Sequence, residues 1–395
     1  MILRMRILVC ASEAPLPPLN GARLQLRALC EQLAQRHEVT VIGFRWPDQE
    51  GAAPTGVELI EIPAPAPGRV RRSRDRLWAL ARREPVEVAR LVPPMAAAIG
   101  RARAQRRFDV AHVALGVLAG VAPALEGLPA VIAPLDAWAL NVHAELGDAR
   151  GAEAAWRRAQ LRTVERYVAC AYRPFARVVL VSEEDAVATR AADPRLRTAF
   201  IPNGVDAERF RPDPMVVRDP RTLLFTGVLR TSANEQAARR LAERVLPRVQ
   251  ARVPDARLKL AGRTPSPRVA ALANLPGVEV VADAPDLRPL LCAAAVFACA
   301  MESGTGIKNK LLEAMACGTA AVATSLAVQG MAARDGHELL VADGDEEFAT
   351  AVANVLLDAD RRERFGDAGR RYVERAHSWD AVARAYEALY AEIRV

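Results

Sequence analysis

The sequence predicts an α/β protein built from two doubly wound parallel-sheet domains, and three observations carry that expectation. Short apolar runs alternate with longer stretches whose leucines and alanines recur at helical spacing, which is the pattern of βαβ units. The pattern restarts after a proline-rich stretch at 210–220, the best candidate for a linker. At 395 residues the chain is too long for one ordinary core and suits two domains of about 150 to 200 residues each. We therefore expect domains at 1–205 and 206–375, followed by a last segment at 376–395.

The first half opens with an apolar run at 5–11 (MRILVCA), then a proline-rich loop ending at Gly21. Leu24, Leu26, Leu29, Leu33 and Ala34 follow at helical spacing, and 39–44 is a second buried-strand run. Ligands of doubly wound sheets lie at the carboxyl ends of the strands, so the loop up to Gly21 should face the ligand cleft. The loop has no G-x-G-x-x-G, so the dinucleotide fingerprint is lacking. Further strands are expected at 57–62, 108–113 and 129–132, the last two ending near His112 and Asp136. A helix at 152–172 leads into a strand at 178–182, and Ser182 is placed to cap the helix that begins at Glu183.

In the second half, strands are expected at 223–227, 258–262, 278–281, 296–299 and 320–323. Helices near 234–250, 286–295, 309–317 and 346–357 alternate with them, and an amphipathic helix at about 379–393 closes the chain.

Residues 304–318 (GTGIKNKLLEAMACG) join a glycine-rich turn to the start of a strong helix, which is anion-binding geometry. Gly304 and Gly306 let the backbone approach a ligand, and the first N–H groups of the helix lack intrahelical partners. Only three of the 54 basic residues other than histidine are lysines, Lys259, Lys308 and Lys310, and two of these stand in this turn. A compact ammonium suits a phosphate cluster, whereas arginine needs room for a planar fork. Glu313, one helical turn in, is placed to accept hydrogen bonds from the two hydroxyls of a ribose, or else is a surface acid paired with Lys310.

Composition narrows the partners. A net charge of +7 favours anionic ones, but aromatics make up only 5% and no basic run is interleaved with stacking rings, which argues against nucleic acid. No apolar run approaches the ~18 residues of a membrane span, and no signal-peptide pattern opens the chain, so we expect a cytoplasmic protein. The six cysteines show no C-x-x-C pair and the five histidines no metal spacing, so no metal is implied. Two D-x-D triplets, Asp343-Gly344-Asp345 and Asp358-Ala359-Asp360, stand where helices begin and read as caps. Arg69, Arg71, Arg72, Arg74, Arg76, Arg82 and Arg83 surround Leu77, Trp78 and Leu80, either as an interfacial basic helix or as a solvated one covering the sheet.

In its ordered segments the chain resembles family 4 glycosyltransferases of the two-domain GT-B fold. The matching segments are the first strand with Gly21, HEVTV at 37–41, LVS with its acidic pair at 180–184, and IPNGVD at 201–206. LLFTG with Asn234, LAGRTP, VADAPDLRPLL, the 304–318 turn and the closing Ser378-Trp379 complete the series. The turn itself matches a branch with G-x-G-x-K-x-K.

The resemblance implies two Rossmann-like domains facing across a cleft, acceptor side first and donor side second, with the last helix crossing back to the first domain. It implies retaining transfer of a sugar from a nucleotide-sugar donor to a sugar or glycan acceptor, without metal and with no cofactor beyond the donor itself. By that analogy Glu313 would hold the donor ribose and the helix start with Lys308 the pyrophosphate. Gly21, Gly227, Asn234, Gly304, Thr305, Gly306 and Ile307 would line the donor, and His112 and Asp136 would join Lys308 and Glu313 as catalytic candidates. The chain departs from the family at Thr305, where many members have an acid, and at Val228 and Ala233, where many have Arg and Lys. Ala114 stands where a second histidine is often found. Lys308, with Arg230 or Arg263, would then supply the missing cation. Other readings are a sugar-nucleotide-binding or epimerase-like protein of the same fold and a charge-driven nucleic-acid binder. The basic segment from Arg69 to Arg83 suits contact with an anionic membrane.

Overall fold

The structure is a computed structural model that describes residues 4–17, 21–65, 84–135, 137–147, 150–304 and 306–394. It divides into two compact units, Met1–Ile201 with Val382–Val395, and Pro202–Ala381. The divisions fall after Ile201 and Ala381, where the sequence reading placed them after 205 and 375. The arginine-rich segment from Arg69 to Arg83, Asp136 and Thr305 lie outside the described residues.

The first unit holds a seven-stranded parallel sheet in the order β3-β2-β1-β4-β5-β6-β7. The strands are β1 Arg6–Ala11, β2 Glu38–Arg45, β3 Val57–Pro63, β4 Val110–Ala114, β5 Ala130–Leu135, β6 Arg177–Leu180 and β7 Thr198–Phe200. Every residue of β1 after Arg6 is buried, because helices cover both faces of a parallel sheet, so its sequence is a continuous apolar run rather than an alternation. Leu8, Cys10, Ile42, Phe44, Val113 and Ile132 form the centre of this core. Burial pushes the Cys10 thiol up to about 12, so it acts as a small apolar residue.

Among the elements that were not expected here are β7 and a helix that contains two prolines. β7 has three residues, too few to display a period. Helix Val86–Gln105 carries Pro93 and Pro94 inside it, which interrupt a helical reading of the sequence.

The second unit holds a six-stranded parallel sheet in the order β10-β9-β8-β11-β12-β13. The strands are β8 Asp219–Val228, β9 Arg257–Arg263, β10 Val278–Ala282, β11 Ala294–Cys299, β12 Ala320–Ala323 and β13 Leu340–Val341. The chain moves outward from β8 through β9 and β10, then returns to lay β11 on the other side of β8. The switch of direction therefore falls between β8 and β11, where doubly wound sheets open a crevice at the carboxyl ends of their strands. The two-residue β13 and helix Ala359–Ala376 were also unforeseen.

The proline-rich stretch 210–220 is not a link between the units. Phe210 and Val216 pack against the second core, and β8 already begins at Asp219. The IPNGVD and Ser-Trp motifs pack on each other inside the second unit. Val205 bridges Ser378, His377 Nδ1 meets the Asn203 carbonyl at 2.9 Å, and a Cβ on Gly204 would stand 2.5 Å from the Trp379 ring.

The closing helix Trp379–Ile393 enters the first unit from Val382 onward. Its Glu387 accepts from Arg36 Nε at 2.6 Å and lies 3.2 Å from His37 Nε2. The Met5 N–H donates to His37 Nδ1 at 3.2 Å, which puts the ring proton of neutral His37 on Nε2.

The caps divide between expectation and correction. Ser182 accepts from the Asp185 N–H at 3.0 Å and Asp358 from the Arg361 N–H at 2.9 Å, both as N-caps. Asp343 and Asp345 do not cap. Asp343 binds the Ser325 N–H and hydroxyl at 2.8 and 2.6 Å, and Asp345 accepts from Arg240 Nε at 2.8 Å.

Candidate active site

The candidate site is built at the switch point of the second sheet, from the ends of β8 and β9 and the turn after β11. At the ends of β8 and β9, Gly227 and Gly262 stand in register. A Cβ on Gly262 would lie 1.8 Å from the Gly227 carbonyl oxygen, so the two strand ends approach only because position 262 is glycine. Past Gly227 the chain turns into helix Ser232–Arg239, and Asn234 Nδ2 donates back to the Val228 carbonyl at 3.0 Å. That bond fixes the amide so that its Oδ1 accepts from Lys310 Nζ.

The turn after β11 is shaped by glycines. Gly304 and Gly306 have φ of 107° and 69°, in the left-handed region that other residues avoid. Lys308 Nζ donates to the carbonyls of Gly304 and Gly306 at 3.0 and 2.6 Å, and the residue is only 7% exposed. Ile307 is buried in the second core and anchors the turn from below. Helix Asn309–Ala316 starts here with no side-chain cap; the Leu311 N–H bonds the Lys308 carbonyl at 2.8 Å, and the N–H groups of Asn309 and Lys310 precede that first bond. Leu311, Leu312, Ala314, Met315 and Ala316 bury the rest of that helix.

Glu313 is half-buried and, among the described residues, makes no hydrogen bond or ion pair. Burial pushes its carboxyl up to about 7, with Arg209 and Lys310 opposing the shift through their charge. Lys310 also sits 4.8 Å above the Phe225 ring and 3.9 Å from Met301 Sδ, and burial lowers its pKa. Arg230 and Arg263 are exposed and pair with no acid among the described residues.

The structure thus brings Gly227, Asn234, Gly304, Gly306, Ile307, Lys308 and Glu313 to one end of one sheet. Gly21 begins helix Gly21–Ala34 in the first unit. His112 lies in the first unit, apart from these residues. It is 2% exposed within β4, its Nδ1 lies 2.7 Å from the Tyr390 hydroxyl of the closing helix, and burial lowers its pKa to about 4. The reading of the sequence missed the seat of Lys310, because its partner Asn234 lies 76 residues away. The scarcity of lysine in the chain was the available signal.

The family description "Glycosyltransferase Family 4" matches residues 19–209, and "Glycosyl transferases group 1" matches residues 220–358. The chain belongs to family 4 of the glycosyltransferases. Among curated relatives, GDP-mannose-dependent alpha-(1-6)-phosphatidylinositol monomannoside mannosyltransferase of Mycobacterium tuberculosis is 31% identical over 49% of this chain and 55% of its own. D-inositol 3-phosphate glycosyltransferase of Geodermatophilus obscurus is 30% identical over 51% of this chain and 49% of its own. Alpha-maltose-1-phosphate synthase of Mycolicibacterium smegmatis is 33% identical over 27% of this chain and 30% of its own. The chain therefore spans between about a third and about half the length of these relatives.

Among solved structures, sucrose-phosphate synthase from Thermosynechococcus elongatus superposes with a TM-score of 0.71 at 19% identity, covering 98% of this chain and 99% of that one. Anabaena HepE in complex with UDP gives 0.65 at 15%, covering 98% and 100%. At these identities the likeness concerns the fold, which is the GT-B pairing of two Rossmann-like domains. No group of three or more His, Cys, Asp or Glu side chains among the described residues is arranged to hold a metal. Among the same residues no helix is long and apolar enough to cross a membrane.

Proposed function

We propose that this chain transfers a sugar from a nucleotide-sugar donor to a hydroxyl of a sugar or glycan acceptor, with retention at the anomeric carbon and without a metal. The reading rests on Glu313, a half-buried carboxylate that lacks a partner among the described residues, one turn into a helix whose N-terminus has no side-chain cap. Two adjacent ribose hydroxyls would donate to that carboxylate, while the diphosphate meets the helix start and the ammonium beside it. As the bond from the anomeric carbon to the phosphate oxygen breaks, negative charge gathers on the leaving diphosphate. Fixed positive charge there is worth more in the transition state than in the ground state. The acceptor oxygen bonds to the anomeric carbon from the same face, and its proton passes to the departing phosphate oxygen. No side-chain nucleophile is needed.

For the acceptor we propose a glycan or glycolipid met at an anionic membrane surface by a cytoplasmic, peripheral enzyme. The arginines from Arg69 to Arg83 support this, as does the phosphatidylinositol mannoside in the name of the Mycobacterium tuberculosis relative.

The test is a thermal-shift and turnover panel of GDP-mannose, UDP-glucose and ADP-glucose, with EDTA and with added manganese. One donor should raise the unfolding midpoint, since a ligand at a hundred times its Kd stabilises by about 2.7 kcal/mol. Its sugar should reach an acceptor in EDTA as fast as in manganese. Turnover that disappears in EDTA and returns with manganese overturns the metal-free part. Epimer formation without any acceptor overturns transfer.

A further inference from the structure

We propose that Lys310, seated on Asn234 beside Gly227, is the cation that meets the donor's diphosphate, and that Lys308 is a positioning residue that holds the turn. This rests on the donor-site reading above.

The two lysines leave the same helix start but are used differently. Lys308 points its ammonium at the carbonyls of Gly304 and Gly306, the two residues whose left-handed backbone makes the turn. An ammonium that closes its own loop and is 7% exposed is spent on shape. Lys310 is partly open, and its contacts are an amide oxygen, a thioether and the face of a phenyl ring. Those contacts orient a charge without cancelling it. Among the described residues no carboxylate pairs with Lys310, although Lys308, Lys310 and Glu313 stand within six positions. A half-buried ammonium without an anion is costly unless a ligand brings one.

The geometry also shows where that anion would enter. A Cβ on Gly227 would stand 3.2 Å from Lys310 Nζ and 2.8 Å from Asn234 Nδ2. Glycine at 227 therefore uncovers both donors at the carboxyl end of β8, which any side chain would cover. Phe225 below and Met301 beside Lys310 come from β8 and from the residues after β11, the two strands that flank the switch point. The ammonium is thus held at the crevice where ligands of doubly wound sheets bind.

The experiment is calorimetric titration of the full chain with UDP, GDP and ADP, alongside thermal midpoints without ligand. Lys310→Met should weaken the preferred diphosphate about tenfold to a hundredfold and leave the ligand-free midpoint equal or higher, because a desolvated charge is removed. Asn234→Asp should also weaken it, by giving Lys310 an internal anion, while raising the midpoint. Lys308→Met should instead lower the midpoint and keep kcat against KM closer to the parent's ratio than Lys310→Met does. If Lys310→Met unfolds, Asn234→Asp decides: weakened binding with the midpoint kept supports the proposal, and binding equal to the parent's overturns it. Lys310→Met that binds like the parent while Lys308→Met loses binding reverses the two roles and overturns it. A parent that binds none of the three diphosphates and no sugar nucleotide refutes the donor-site reading itself, and the proposal with it.

Discussion

Glu387 in the first unit and Glu313 in the second are both carboxylates drawn away from water on helices, and they are treated in opposite ways. Glu387 is 2% exposed and has Arg36 at 2.6 Å and His37 at 3.2 Å. Glu313 has no such bond among the described residues, and burial raises its pKa to about 7. A buried acid with its partners in place holds the fold, here by fastening the closing helix to the turn between helix Gly21–Ala34 and β2. A buried acid left without partners lowers stability, which makes Glu313 the candidate for a ligand that would supply the missing donors.

The largest effect should come from breaking the paired acid. Glu387→Ala leaves Arg36 and His37 facing an empty space and should cost about 3 kcal/mol, some 6 to 12 °C in the midpoint of the first unit. Thermal unfolding followed by circular dichroism measures it, and a shift under 2 °C would mean that the pair contributes nothing to the docking of the helix.

Next comes Glu313→Ala, which should leave the midpoint within about 1 kcal/mol of the parent's and raise the donor Kd tenfold to a hundredfold, about 1 to 3 kcal/mol for lost charge-assisted hydrogen bonds. A loss of stability as large as that of Glu387→Ala, with donor binding intact, would erase the contrast between the two acids.

The smallest effect is in pH dependence, and it sets Glu313 against His112. The folded-state pKa of Glu313 lies above its ordinary value, so the folded chain holds a proton that the unfolded chain has released. Its contribution to stability therefore falls as pH rises from the ordinary carboxylate range through about 7. Glu313→Gln should gain most over the parent above pH 7, while donor affinity in the parent rises over the same interval as the carboxylate forms. His112, lowered to about 4, works the other way, and stability is lost as pH falls from 6.5 towards 4. Denaturation midpoints from pH 4 to 9 test both, and a Glu313→Gln curve parallel to the parent's would show that the acid is not desolvated.

Most strands and helices were legible because a parallel sheet covered on both faces demands continuous apolar runs, and β1, β2, β8 and β11 supply them. The turn at 304–318 was legible for a local reason as well: left-handed glycines, a helix start and rare lysines are adjacent in the chain. β7 and β13 were not legible, being too short to show a period, and Pro93 and Pro94 hid a helix that tertiary packing nevertheless stabilises.

The sequence by itself determined two doubly wound sheets and put a cation and an acid beside the glycine-rich turn at 304–318. Only the tertiary structure decided which lysine serves the loop and which faces Gly227, that His112 packs in a core, and that Glu387 is paired while Glu313, among the described residues, is not. Spacing along a helix sets which face a side chain leaves from, but the partner that fixes its far end comes from elsewhere in the chain. Asn234 is that partner for Lys310, and the closing helix brings the partners of His37 and His112.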